Sequence, residues 1–152
     1  MKKIKNKNAG FSLVELIVVI AIMAVLVGVL APTLVRNVER SRESVDIQTL
    51  DTVRDSVVTA LSTEHVNLAI SAEGITASSP YVKQLDDIKT ATTGLSKELK
   101  EELEADDVLG ASFKSKACKN AKIKITISAD GKVKVEADGA GATKLGISMV
   151  AE

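Results

Sequence analysis

The sequence predicts an α+β protein in which a long N-terminal helix packs against a small C-terminal antiparallel β-sheet. Three observations indicate this: a 21-residue apolar run near the N-terminus, a helical pattern without glycine or proline from Thr33 to Ile70, and strict two-residue alternation in the last third of the chain. The 152 residues have room for one modest globular unit and an anchor.

The first ten residues are short, polar and basic. They hold four lysines and no acid, which leaves the rest of the chain with a net charge of −4. A mildly acidic body argues against general nucleic-acid binding, because such binding relies on clustered cations. We therefore predict no specific nucleic-acid partner.

The apolar run from Phe11 to Ala31 contains one charged residue, Glu15. As a helix it would be about 31 Å long, which matches a hydrocarbon core of about 30 Å. The lysines before it predict a single membrane pass with the N-terminus in the cytoplasm and the C-terminal body outside.

Two ordinary explanations of this run stay open. One is a cleaved secretory signal ending at Val29–Ala31, although the run is longer than such signals usually are and Pro32 would directly follow the cut. The other is a plain signal anchor, which explains the length and leaves Glu15 unexplained. An acid in a membrane span costs about 2.5–3.5 kcal/mol at mid-membrane and calls for a partner, and the run offers no other charge.

The segment Gly10–Glu15, with the sequence GFSLVE, resembles the class III signal of type IV prepilins, since it follows a lysine-rich leader and opens a long apolar run. The resemblance implies that a membrane-embedded prepilin peptidase cuts between Gly10 and Phe11 and N-methylates Phe11. It also implies that Glu15 meets the N-terminal amine of a neighbouring subunit during assembly. Such a pair would lower the cost of both charges and set the axial register.

Pro32 lies where pilins commonly carry a proline. A proline inside a helix removes one backbone hydrogen bond and kinks or opens the helix, and Gly28 weakens the same stretch. The simpler alternative is that Pro32 ends the membrane helix. The resemblance favours a kink near Pro32, or local melting from Gly28 to Pro32, when subunits pack in a filament.

After Pro32 the helical pattern continues to about Leu61. The predicted apolar face lies opposite Gln48, Asp51 and Asp55. Its members are Val45, Leu50, Val53, Val57, Ala60 and Leu61.

Two short helices are predicted after a loop over 71–79. The first begins at Ser79-Pro80 and carries Val82, Leu85 and Ile88. The second is capped by Ser96 and ends near Asp106.

The last third of the chain alternates as strands do. Residues 122–127 and 132–136 flank the turn signal Ala129–Gly131, which predicts a β-hairpin, and 145–150 is a plausible third strand. One face is apolar and should cover the long helix. The other face carries Lys122, Lys124, Lys132 and Lys134, and we interpret it as a solvated face. The alternatives are docking on an acidic neighbouring subunit and weak contact with DNA.

No catalytic motif is found, and we predict a non-enzymatic protein without catalytic residues, cofactor or metal. The single cysteine, Cys118, excludes an intrachain disulfide and reads as a small buried thiol. Glu64 and His65 are adjacent, so their side chains point apart on a helix.

The resemblance implies a pilin-like organisation: a cleaved leader over 1–10, a filament-core helix over 11–32, and a globular head over 33–152. It implies a homo-oligomeric filament joined through 11–32, with a prepilin peptidase, an assembly platform and its ATPase as partners. The prepilin would lie in the cytoplasmic membrane and the filament on the cell surface, serving adhesion, motility or DNA uptake. The alternatives are a pseudopilin of a type II secretion or competence system, and a signal-anchored binding protein that never polymerises.

Overall fold

The computed structural model describes residues 11–76, 78–139 and 150–151. Its elements, in chain order, are α1 (Leu13–Leu61), α2 (Glu64–Glu73), β1 (Tyr81–Gln84), α3 (Leu85–Lys89), α4 (Gly94–Ala105), β2 (Lys122–Ile127), β3 (Val133–Asp138) and β4 (Val150–Ala151). The chain divides into two compact units, the first ending at Val38 and the second beginning at Glu39. We call the second unit, from Glu39 onward, the head.

The long helix α1 confirms the predicted element. It runs through Pro32 without interruption, so Pro32 does not end the helix. At its C-terminal end the side-chain amide of Asn67 donates to the carbonyl of Leu61 at 2.8 Å, which satisfies an acceptor that the helix leaves unpaired.

The sheet is antiparallel with the order β1-β2-β3-β4. The predicted hairpin is confirmed: β2 and β3 pair with Ile125 opposite Val135, and Gly131 takes a positive φ of 80° in the turn. Of the predicted third strand, residues 145–149 lie outside the described residues, and Val150 forms β4 with Ala151.

The prediction of a helix at Val82 is wrong. Residues Tyr81–Gln84 form β1 and pair with β2, so that only Leu85 and Ile88 lie on a short helix, α3. Without β1, the edge of β2 would leave a row of backbone N–H and C=O groups unpaired. Pairing these groups stabilises a strand over Tyr81–Gln84 more than the weak local pattern stabilises a helix. The loop predicted over 71–79 also begins later than expected, because α2 continues to Glu73 and ends on Gly74 at φ 67°.

One cluster of buried apolar side chains forms the core of the head. It joins the inward face of the sheet, the apolar faces of α1 and α4, and residues from α2, α3 and the irregular segment after α4. The predicted sheet residues all belong to it, namely Ile123, Ile125, Ile127, Val133 and Val135. This confirms that the small sheet covers the C-terminal half of the long helix.

Candidate assembly site

The N-terminus of α1 is closed by hydrogen bonds between Ser12 and Glu15. The backbone N–H of Ser12 donates to Oε2 of Glu15 at 2.8 Å, and the N–H of Val14 donates to Oγ of Ser12 at 3.4 Å. This pattern is a variant of the capping box in which Oγ of Ser12 accepts from the second helical residue instead of the third, and it satisfies two donors that a helix otherwise leaves unpaired. Glu15 therefore has a local partner within its own chain.

The apolar surface that follows is left uncovered by the described residues. Every residue from Phe11 to Asn37 is exposed, and Phe11 itself is 91% exposed. Among the described residues, α1 is long and apolar enough to cross a membrane, and none of its apolar window is buried in the structure. A signal sequence would share this length and composition, whereas the core helix of a soluble protein would be covered.

Gly28 and Pro32 lie one turn apart on this exposed stretch. A Cβ added at Gly28 would meet no atom within 4 Å, so no intrachain contact requires a glycine there. Pro32 removes one backbone N–H from the helical ladder. The structure brings Ser12 and Glu15 together and distributes Gly28 and Pro32 along the same exposed helix, while Gly10 lies outside the described residues.

Two carboxylates on α1 hold the irregular segment between α4 and β2, and sequence reasoning missed both. Asp46 accepts the backbone N–H groups of Lys114 at 2.6 Å and Ser115 at 3.0 Å. Glu39 accepts the next backbone N–H, that of Lys116. Three consecutive amides of the segment are thus bound by acids two helical turns apart.

Asp46 is fully buried, with 0% exposure. Burying a carboxylate is costly unless hydrogen bonds replace its water, and the two N–H groups supply them. Glu39 is part-exposed and also meets Arg42, with 3.6 Å between Nη1 and Oε2. Asp46 is therefore the inner anchor of the segment and Glu39 the outer one.

The buried stripe of α1 differs from the predicted one at its start. Val45 is 44% exposed, and the buried residues are Asp46, Leu50, Val53, Ser56, Val57 and Ala60. Asp46 stands four residues before Leu50 and seven before Val53, on the face that turns inward. An acid in register with an apolar stripe is the signal that could have identified this anchor.

The lysine-bearing face of the sheet is occupied by ion pairs. Lys122 meets Asp86 at 3.2 Å, Lys132 meets Asp130 at 2.9 Å, and Lys134 meets Glu136 at 3.2 Å. Lys124 also meets Glu136, and this contact, with the help of Lys134, lowers the pKa of the Glu136 carboxyl. All four predicted lysines already have acidic neighbours in their own chain.

Within the described ranges, no group of three His, Cys, Asp or Glu side chains could hold a metal ion. Cys118 is buried, as predicted, and burial raises the pKa of its thiol. His65 is exposed at the start of α2 beside Glu64.

Comparison with known proteins finds one family model and one relative that resemble the chain. A family model described as the prokaryotic N-terminal methylation motif matches residues 5–31. The chain is 33% identical over 79 residues to prepilin peptidase-dependent protein A of Clostridium perfringens. That match covers 52% of this chain and 56% of the relative, so the chain spans little more than half the length of the relative. No solved structure matches the chain.

Proposed function

We propose that this chain, a type IV pilin-like prepilin, is a structural subunit that is cut after Gly10 and polymerises through residues 11–32 into an extracellular filament. A single observation carries the proposal: the helix that contains most of the matched motif presents an apolar surface that the described residues leave uncovered. Before assembly that surface suits the membrane. In the filament it would be covered by the same helix of other subunits.

The packing of such helices gains little from dehydration, because lipid tails are as apolar as the side chains. Close packing and polar pairs must therefore supply the specificity. Cleavage would turn Phe11 into the N-terminal residue and create an amine one helical turn from Glu15. We propose that Glu15 exchanges the Ser12 amide for the amine of a neighbouring subunit, which would set the axial register.

Gly28 and Pro32 have a part in the same proposal. The stretch has weak helical propensity, and a Cβ added at Gly28 would meet no atom within 4 Å. We propose that residues 28–32 kink or melt when the helices pack. The globular part predicted over 33–152 would then be displayed outside, and a prepilin peptidase, an assembly platform and its ATPase would act on the membrane-bound subunit.

The test is intact mass and N-terminal sequencing of filaments sheared from producing cells. A chain that begins at Phe11 and carries the mass of one methyl group is expected. Gly10→Ser is the matched variant, because a side chain at the cleavage site should block processing and leave the leader attached. Unchanged processing of Gly10→Ser would contradict the assigned site.

The same fractionation separates the rival functions. Processed protein confined to the membrane fraction would favour a pseudopilin over a surface pilus. A chain that keeps Met1 would favour a signal-anchored protein that does not polymerise. A chain that begins at Pro32 would identify a cleaved secretory signal.

A further inference from the structure

Three lysines of the head stand close together in the chain and form no ion pair with a residue that the structure describes. They are Lys114, Lys116 and Lys119, all exposed, in the irregular segment between α4 and β2. None of them makes an ion pair with any residue of the described part of the chain, in contrast to the four paired lysines of the sheet. We call residues 114–119 the basic segment.

The basic segment is fixed to α1 through its backbone. Asp46 and Glu39 bind three consecutive N–H groups, and the buried side chains of Ser115 and Cys118 fasten the segment between the lysines. The N–H of Cys118 also donates to Oγ of Ser115 at 3.3 Å. Because the backbone of the segment is already ordered, binding of a partner to the lysines would cost less conformational entropy than binding to a flexible loop.

The head also carries a group of exposed acids at the end of α4. Glu104, Asp106 and Asp107 are exposed where α4 ends, and none of them forms an ion pair among the described residues. We call residues 104–107 the acidic turn. Negative charge at a helix C-terminus is unfavourable, so these acids weaken α4 in the isolated head. A cationic partner would remove that penalty.

We propose that the basic segment of one copy docks on the acidic turn of a second copy. The inference rests on the proposed function and adds a contact between heads to the helix-mediated assembly. In a filament each copy would offer its basic segment to one neighbour and its acidic turn to another, which makes the proposed contact head-to-tail. Repeated contacts of this kind build open helical filaments when the rotation does not close. Exposed charge pairs contribute little energy each, and their main effect is to select partner and register.

The direct test is zero-length cross-linking of sheared wild-type filaments. A carbodiimide joins a lysine amine to a carboxylate only where the two groups touch. Covalent dimers are expected whose linked peptides pair 114–119 with 104–107. Dimers linked only through other peptides would overturn the proposal.

Charge reversal supplies the second test in full-length protein. Lys116→Glu with Lys119→Glu, and separately Glu104→Lys with Asp106→Lys, should each lower the filament yield by about tenfold at constant processed protein. Combining all four substitutions reverses both surfaces and should restore most of the yield. If these residues only stabilised the fold, the combined variant should give a lower filament yield than either double variant.

The matched control is Lys83→Glu with Lys89→Glu, which changes the net charge equally at exposed lysines outside the basic segment. Its filament yield should equal the wild-type value. Normal yield from the Lys116 and Lys119 variant would overturn the docking proposal and leave the proposed function standing. That result, together with lost binding to anionic phospholipid vesicles, would assign the basic segment to a membrane surface instead. Absence of wild-type filaments would overturn both the proposed function and the contact that rests on it.

Discussion

The carboxylate of Asp46 accepts the backbone N–H of Lys114 at 2.6 Å, across 68 residues of chain. Its other oxygen accepts the N–H of Ser115 at 3.0 Å. Both oxygens of a fully buried carboxylate thus accept hydrogen bonds from one segment. This bond ties the C-terminal half of α1 to the connection between α4 and the sheet.

Replacing Asp46 with asparagine should destabilise the head by about 2 kcal/mol, because the amide NH₂ group would face a backbone donor where an oxygen now accepts. Thermal unfolding of the full chain in detergent micelles, followed by circular dichroism, measures the loss. Hydrogen exchange should also become faster at residues 114 and 115. Asp51→Asn is the control, since Asp51 is exposed on the same helix, and an equal loss there would contradict the anchoring role.

Gly94→Ala should destabilise the head by about 1 kcal/mol, because Gly94 has a φ of +64° that residues with a Cβ rarely adopt. The added Cβ would also lie 2.6 Å from Oε1 of Glu73, which accepts the N–H of Leu95 at 3.3 Å. Gly110→Ala is the control, because no atom lies within 4 Å of its Cβ position. Equal unfolding temperatures for the two variants would show that the backbone conformation at 94 carries no cost.

Glu136 should make the head sensitive to acid. Lys124, and then Lys134, hold the pKa of its carboxyl below the usual value. The stability gained from these contacts is therefore complete above the unfolded-state pKa of about 4.3 and is lost as the pH falls toward the lower folded-state value.

Glu136→Gln should flatten the fall in unfolding temperature below about pH 5 while lowering stability at neutral pH. Unfolding curves taken from neutral pH into the acid range measure both effects. Glu64→Gln is the control, since Glu64 is exposed and makes no ion pair with a described residue. A Glu136→Gln curve parallel to the wild-type curve would rule out this source of acid sensitivity.

Substitutions of Glu15 can separate its charge from its place in the capping box. Glu15→Ala should leave cleavage intact and lower the filament yield by about tenfold or more, since a new amine would then lack its partner. Glu15→Gln keeps an oxygen for the Ser12 N–H and loses the charge. Filament counts per processed subunit should be low for both variants. Full recovery in Glu15→Gln would mean that the helix cap matters and the charge does not.

Periodicity predicted the elements whose local pattern agrees with their packing. The long helix and the β2–β3 hairpin fall in this class, because each buries one regular face. The spacing of Val82 to Leu85 and Ile88 predicts a helix, whereas in the structure Val82 pairs with Thr126 of β2 and lies in a strand. Because the partner residue lies 44 positions later in the chain, the sequence immediately around Val82 gives no sign of the pairing.

Side-chain caps and anchors were harder to predict, since they depend on distant chain segments. Ser96 was expected to cap the second short helix. Instead its hydroxyl lies 2.6 Å from the hydroxyl of Tyr81, and the carboxylate of Glu73 meets the start of α4. Asp46 likewise binds a segment with no sequence pattern of its own. Resemblance alone points to Gly10 and Phe11, whereas Glu15 is also indicated as the one charge in the apolar run, and the roles of all three stay predictions.

The two anchors on α1 also have a consequence for the order of events during synthesis. Asp46 leaves the ribosome long before its partners, because Lys114 and Ser115 follow it by 68 and 69 residues. Closing a loop of that length costs entropy that only the finished core repays, so contacts of this range form late. The apolar N-terminal helix can therefore reach a membrane while the head is still an unfolded nascent chain.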